Sequence, residues 1–332
     1  MANLDYGNIK TDEELKRLEK RLKKQYWLTS KEVEKILTEY LEQFEEQDSE
    51  KAEELMQGKI TEREYKNWRI GLIAVGLGWH KVRNRIAKKF TDTNIIASSI
   101  ISEHNLQTYA FNYNFNTFVA ETVTKVDTSY ALINKEAVEY LRKHEPELLP
   151  LKTTMKIDKD LRWNKKQLNA HMIEGLSRGK SIPDIAKRLP KAVGEENLNG
   201  AIRRARTMTT FAENKARLES AKRLRDEFGI DMTKQWLATL DGRTRHTHRQ
   251  LDGEIVGLDE TFSNGLEEPG DTSGDPAEVY NCRCKMKTPI RGFEKQADDL
   301  STRNTSKLEE EYNKWRNGKP NYYKEGKKRK NG

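Results

Sequence analysis

The sequence predicts an α+β protein: a predominantly helical N-terminal region followed by a small α+β C-terminal module with short strands and a long Gly/Pro loop. Three observations carry that expectation. Through most of the first 228 positions apolar residues recur at helical spacing, and Val33, Ile36, Leu37, Tyr40, Leu41 and Phe44 follow one buried face. After Gly229 the period shifts to short runs broken by the turn signals Asp241-Gly242 and Asp252-Gly253. Both cysteines (Cys282, Cys284) and two of the six histidines (His246, His248) fall within residues 235–287.

Bulk composition bounds the function classes. With 35% hydrophobic and 34% charged residues over 332 positions, the chain is too polar for one large compact globule. Elongated helices with much solvated surface, or polar partner-facing surfaces, fit better. The net charge of +8 is spread over 61 basic and 53 acidic residues, a mild bias and not the basic stripe of a dedicated DNA-binding domain. The N-terminus has no apolar core and reads as no signal peptide. The longest apolar run, residues 70–79, is half of the ~20 residues a bilayer span needs, so a cytoplasmic product at synthesis is expected. The expected divisions are 1–130, 131–229, 230–295 and a charged helical or disordered basic tail, 296–332.

In chain order, residues 11–27 predict a charged helix with a thin stripe at Leu15, Leu18 and Leu22. Thr29 with Glu32 predicts a capping-box start for the next. A break near Gly58 and a restart at Thr61 follow, then the apolar run and a basic helix with Lys81, Arg83, Arg85, Lys88 and Lys89. Residues 92–130 are poor in charge, and their partly alternating Tyr109, Phe111, Tyr113, Phe115 and Phe118 suit either a strand or a helix with two apolar sides. A small helix is expected at 135–144. Another ends at Gly175 or Gly179, and Ser181-Ile182-Pro183-Asp184 opens a helix that stops before Pro190. A long helix from Leu198 to about Phe228 carries Arg203, Arg204 and Arg206, and Gly229 ends it.

In the C-terminal module, residues 232–240 read as a strand bringing Trp236 inward, 244–251 as a short helix and 254–256 as a second strand. Residues 257–276 form a long irregular loop, functional or tied down by contacts. Tyr280, Cys282, Cys284 and Met286 alternate with polar residues, so in a strand both thiols share a face with Cα atoms about 6.5–7 Å apart. A bond between them would close a small strained ring, which argues against an intrachain disulfide. The thiols are then either small buried hydrophobes or zinc ligands together with His248 or His246 and an Asp. No spacing specifies a partner for a catalytic thiol.

These residues resemble a known signature. Trp236, Asp241, Arg243, Arg245, His248, Leu251-Asp252-Gly253, Pro269-Gly270-Asp271 and Asn281-Cys282-Arg283-Cys284 are similar to the C-terminal pattern of the phage minor head protein family, the Mu F-like or SPP1-type head morphogenesis proteins. The family usually shows one histidine, at the position of His248, so His246 departs from the pattern. The resemblance implies a virion component in the capsid interior, assembled in the host cytoplasm and bound to the portal protein, with scaffold or major capsid protein as further partners. It would assist head assembly and DNA packaging or ejection. Contact with double-stranded DNA would suit the basic tail residues Lys327, Lys328, Arg329 and Lys330. Some relatives carry fused ADP-ribosyltransferase domains, but no arrangement of residues for NAD chemistry is recognisable here, and no enzyme is expected. The rival from another class is a metal-dependent nucleic-acid-processing enzyme centred on His246, His248, Cys282, Cys284 and Asp241.

Overall fold

The computed structural model describes residues 4–128, 157–303 and 305–319. In chain order the elements are α1 (Tyr6–Leu41), α2 (Glu45–Met56), α3 (Glu62–Arg69), α4 (Leu77–Thr124), α5 (Ile157–Ser177), α6 (Ile182–Phe228), β1 (Thr233–Leu237), α7 (His246–Gln250), β2 (Ile255–Gly257), α8 (Pro276–Val279), β3 (Lys285–Lys287), α9 (Glu294–Ser301) and α10 (Thr305–Gly318). The α+β expectation holds: helices dominate, and the described strands form one antiparallel sheet in the order β2-β1-β3. Among the described residues no helix is long and apolar enough to cross a membrane. The expected helix at 135–144 lies outside the described residues.

The chain folds into two compact units that are discontinuous in sequence. One comprises Glu19–Ile100 and Thr153–Ile202, the other Met1–Leu18, Ile101–Lys152 and Arg203–Gly332. The linear divisions at 130, 229 and 295 do not coincide with these units, because the boundaries fall inside the long helices α1, α4 and α6.

Among its described residues the first of these units has helices and no strand. Its core joins Val33, Leu37 and Leu41 to Trp79, Ile86 and Phe90, and to Leu168, Met172, Leu189 and Val193. The stripe read from the sequence is therefore a buried face. Thr61 caps α3 in a reciprocal box, its hydroxyl accepting from Glu64 N–H at 3.2 Å while Glu64 accepts from Thr61 N–H at 2.8 Å. Gly179 adopts φ +65° just past α5, and Ser181 Oγ accepts from Asp184 N–H at 3.3 Å to open α6. Two boundary expectations fail. Thr29 caps nothing, since its hydroxyl donates back to Gln25 O within the continuous helix α1 and meets Thr93 Oγ1 at 2.7 Å. Pro190 does not end its helix either. Leu189, Pro190 and Val193 are buried on the continuing face, and that burial outweighs the lost amide bond.

In the other unit the aromatic segment settles as helix, correcting the strand alternative. On α4, Phe111, Phe115 and Phe118 sit at i, i+4, i+7 and pack with Tyr6 of α1 and with Tyr312 and Trp315 of α10. Tyr109 and Tyr113 stack along another side at 6.1 Å, so the apparent alternation came from two helical faces read together. The tail is correspondingly ordered through α10, with Leu308 and Tyr312 buried. Lys327, Lys328, Arg329 and Lys330 lie outside the described residues.

The sheet stands beside the C-terminal half of α6. β1 is central, pairing Gln235 with Ile255 on one side and Trp236 with Met286 on the other. Gly229 at φ +67° ends α6 and releases the chain into β1. The long loop is held by Phe262 and Leu266 in the core and by Lys234 Nζ, which donates to Glu267 O at 2.8 Å. Glu268 is buried with it, 3.9 Å from Lys215, and burial raises its carboxyl to about 7. A folded carboxyl that keeps its proton to about pH 7, against 4.5 when unfolded, lowers stability as pH rises between those values. At ~1.4 kcal/mol per unit the cost above neutrality is roughly 3 kcal/mol at most. Glu268→Gln should flatten this decline and raise the denaturant midpoint at pH ~8 while changing it little at pH ~5. Equal shifts at both pH values would contradict it.

Candidate functional site

The site is built where β1, α7 and the segment entering β3 converge. Trp236, fully buried on the central strand, sets its floor: the His248 ring meets it edge-on at 5.3 Å and Phe262 at 5.1 Å. Asp252 and Gly253 fasten α7 to this strand. Asp252 Oδ1 accepts from Ala238 N–H at 2.9 Å, and Gly253, at φ +86°, donates its N–H to Trp236 O at 2.9 Å. The signature Asp-Gly is thus a turn that places the preceding helix and its His248 over the tryptophan.

Cys282 and Cys284 precede β3 instead of lying in it, a correction to the expected strand. Asn281 takes φ +57°, which turns the chain out of α8, and its N–H donates to Thr207 Oγ1 at 3.0 Å. Two side chains of α6 then fix the cysteine backbone: Thr210 Oγ1 donates to Cys282 O at 2.8 Å, and Asn214 Nδ2 donates to Cys284 O at 3.2 Å. Asn214 also donates to Pro269 O and accepts from Met286 N–H, both at 2.9 Å, so one amide joins helix, loop and sheet.

As a result both sulfurs face one ring nitrogen. His248 Nδ1 lies 3.6 Å from Cys282 Sγ and 3.4 Å from Cys284 Sγ, and all three residues are buried. The cysteines are free thiols. The contact between the two thiols pushes the Cys282 thiol up and, together with His248, draws that of Cys284 down. On the far side of the ring, Nε2 is 2.9 Å from Glu278 Oε2 of α8. Thr247 Oγ1 holds that carboxylate at 3.0 Å. His246 is exposed and outside the cluster, because it sits two residues from His248 on a helix.

The remaining signature residues brace the rim. Asp241 accepts from both terminal nitrogens of Arg283 at 2.6 and 2.7 Å, and these bonds hold its carboxyl well below the usual carboxylate range. Arg245 Nη2 donates to Tyr280 O at 2.5 Å, whereas the Arg243 side chain points to solvent. Asp241 therefore serves as a clamp on Arg283. Sequence reasoning missed Glu278, Thr210 and Asn214. For Glu278 a signal existed, since Asp275-Pro276 marks a helix start placing Glu278 in its first turn. For the two α6 residues there was none, because polar residues on a long helix read as solvated.

Comparison of the sequence with known proteins finds similarity over the segment that carries this site. Residues 166–287 match the family model described as Phage Mu protein F like protein. The chain is 36% identical over 153 residues to the NAD(+)–arginine ADP-ribosyltransferase EFV of Enterococcus faecalis, covering 44% of this chain and 30% of that protein. It is 27% identical over 187 residues to minor head protein GP7 of Bacillus phage SPP1, covering 55% of this chain and 59% of that protein. The chain thus spans less than two thirds of either relative. No solved structure matches it. The matched segment contains α6, the sheet, His248 and the cysteine pair, and over that segment the chain is similar to the Phage Mu protein F like family.

Proposed function

We propose that the chain is a minor capsid protein of a phage head, acting in head morphogenesis from the capsid interior after assembly in the host cytoplasm. The observation that carries this reading is the match of residues 166–287 to the Phage Mu protein F like model, accompanied by similarity to the SPP1 minor head protein. Within it the signature residues are spent on internal bonds: Asp252 and Gly253 hold β1, Asp241 holds Arg283, and the cysteine backbone is held by Thr210 and Asn214 of α6. A motif spent on internal bonds builds a rigid module, which suits a structural part of an assembly. The partners proposed are the portal protein first, then scaffold or major capsid protein. DNA packaging or ejection is the stage served, with double-stranded DNA met through basic residues.

The burial of His248, Cys282 and Cys284 favours this reading over a nucleic-acid-processing enzyme, because a substrate phosphate has no exposed group of the cluster to approach. The ADP-ribosyltransferase name belongs to a protein of which the match covers 30%. Co-expression with the portal and major capsid proteins of the same phage tests the proposal. The chain should co-sediment with assembled heads at substoichiometric copy number and co-purify with the portal from lysates lacking capsid protein. Heads that form normally and exclude the chain would overturn it.

A further inference from the structure

We propose that His248, Cys282 and Cys284 bind one zinc ion, a buried structural centre that ties α7 to the segment entering β3. Four independent features of the site converge on this. The donors are two thiols and an imidazole, the borderline-soft set that zinc prefers. Their spacing is right: Zn–S near 2.3 Å and Zn–N near 2.0–2.1 Å put sulfur and nitrogen about 3.6 Å apart across a tetrahedron. The two Nδ1–Sγ distances are 3.6 and 3.4 Å, and all three ligand atoms lie within 4.8 Å of one another. The other ring nitrogen, Nε2, has a carboxylate within reach, Glu278 Oε2 at 2.9 Å, although the two do not meet at a hydrogen-bonding angle; a small turn of either would give the carboxylate support that orients metal-bound histidines. Finally, the ligands are held in place from behind, by Thr210 and Asn214 on the cysteine carbonyls and by Trp236 against the imidazole.

Buried cysteines alone are common as small apolar residues. That account leaves two thiols turned on one nitrogen of a buried imidazole, a convergence that an apolar core does not require. A metal ion satisfies all three side chains at once. Binding would displace the two thiol protons to solvent, so that the two thiolates neutralise the dication. The centre would join residues 34 and 36 positions apart in sequence, which suits a module whose sheet has strands of only 3 to 5 residues.

The test is elemental analysis of the full chain, purified reduced, without chelator, from zinc-supplemented cells. About one zinc per chain is expected, and His246→Ala should leave that ratio unchanged. Cys284→Ser and His248→Ala should each lose most of the metal. Glu278→Gln should retain the ion but weaken its binding roughly 10- to 100-fold in a competition titration with a chromogenic chelator. Should the ligand variants fail to fold, the wild-type protein still decides the matter. Exchange with cobalt(II) should give a thiolate-to-metal charge-transfer band, and both thiols should react with a disulfide reagent only after chelation. A reduced wild-type chain that takes up no zinc on dialysis against the metal, or holds iron or copper stoichiometrically instead, overturns the assignment. So does zinc content unaffected by Cys284→Ser in a folded protein.

Discussion

Trp236→Ala should destabilise the sheet-bearing unit by about 3–5 kcal/mol, the range for removing a large aromatic from a packed core. Trp236 is 0% exposed, lies between His248 and Phe262, and shares its cluster with Leu251, Phe262, Cys282 and Met286. Neighbours anchored by turns and by Asn214 collapse poorly into the space left, which pushes the cost to the upper end. Trp27, 58% exposed on α1, is the control, and Trp27→Ala should stay within about 0.5 kcal/mol. Trp236→Phe separates the contributions. The indole N–H has no acceptor among the described residues, so losing it costs no hydrogen bond. The phenylalanine variant should therefore recover a substantial part of the loss. Denaturant unfolding followed by far-UV circular dichroism measures all three. A Trp236→Ala cost below ~1 kcal/mol would show that the module's core does not depend on this side chain.

What was legible in the sequence follows the range of the forces involved. The buried stripe of α1, the box at Thr61 and the stops at Gly179 and Gly229 are local, set by residues within one turn, and the structure places them as read. The turn at Asp252-Gly253 and the inward Trp236 are nearly as local. Pro190 and Thr29 misled because tertiary burial keeps α6 and α1 continuous through residues that end isolated helices. The aromatic run of α4 misled because period 2 and period 3.6 overlap when two helical faces are both apolar. Within the site the histidine and both cysteines were legible by type, while His246 could be separated from His248 only by seeing which one is buried. Asn214 and Thr210 were not, since each acts on residues 70 to 72 positions away, and for Glu278 only its place in a helix's first turn was readable, not its approach to His248 30 positions away.

The same limit hides the buried charge pair between the N-terminal segment and α6. Arg217 donates to both oxygens of Asp5, at 2.7 and 2.8 Å, 212 residues apart, and the two side chains are 3% and 8% exposed. Asn8 N–H adds a bond to Asp5 at 2.8 Å and its amide donates to Glu213 at 2.7 Å; Glu213 in turn accepts from Lys285, which also reaches Asp12. At that burial water cannot screen the charges, so Arg217→Met should cost about 3–5 kcal/mol by stranding the Asp5 carboxylate. Asp5→Leu combined with Arg217→Met removes both charges and should return to within ~1–2 kcal/mol of wild type, because desolvation of the pair offsets most of its attraction. The pH dependence has a defined sign. Burial alone would raise the Asp5 pKa, but Arg217 brings it below the ordinary 3.8. The stabilisation is thus complete above about pH 4 and is lost as pH falls through the lower folded value. Wild type should lose stability in acid more steeply than the double variant, by denaturant midpoints across that range. Additive single-variant costs, with no recovery in the double, would mean that the two side chains contribute separately and not as a pair.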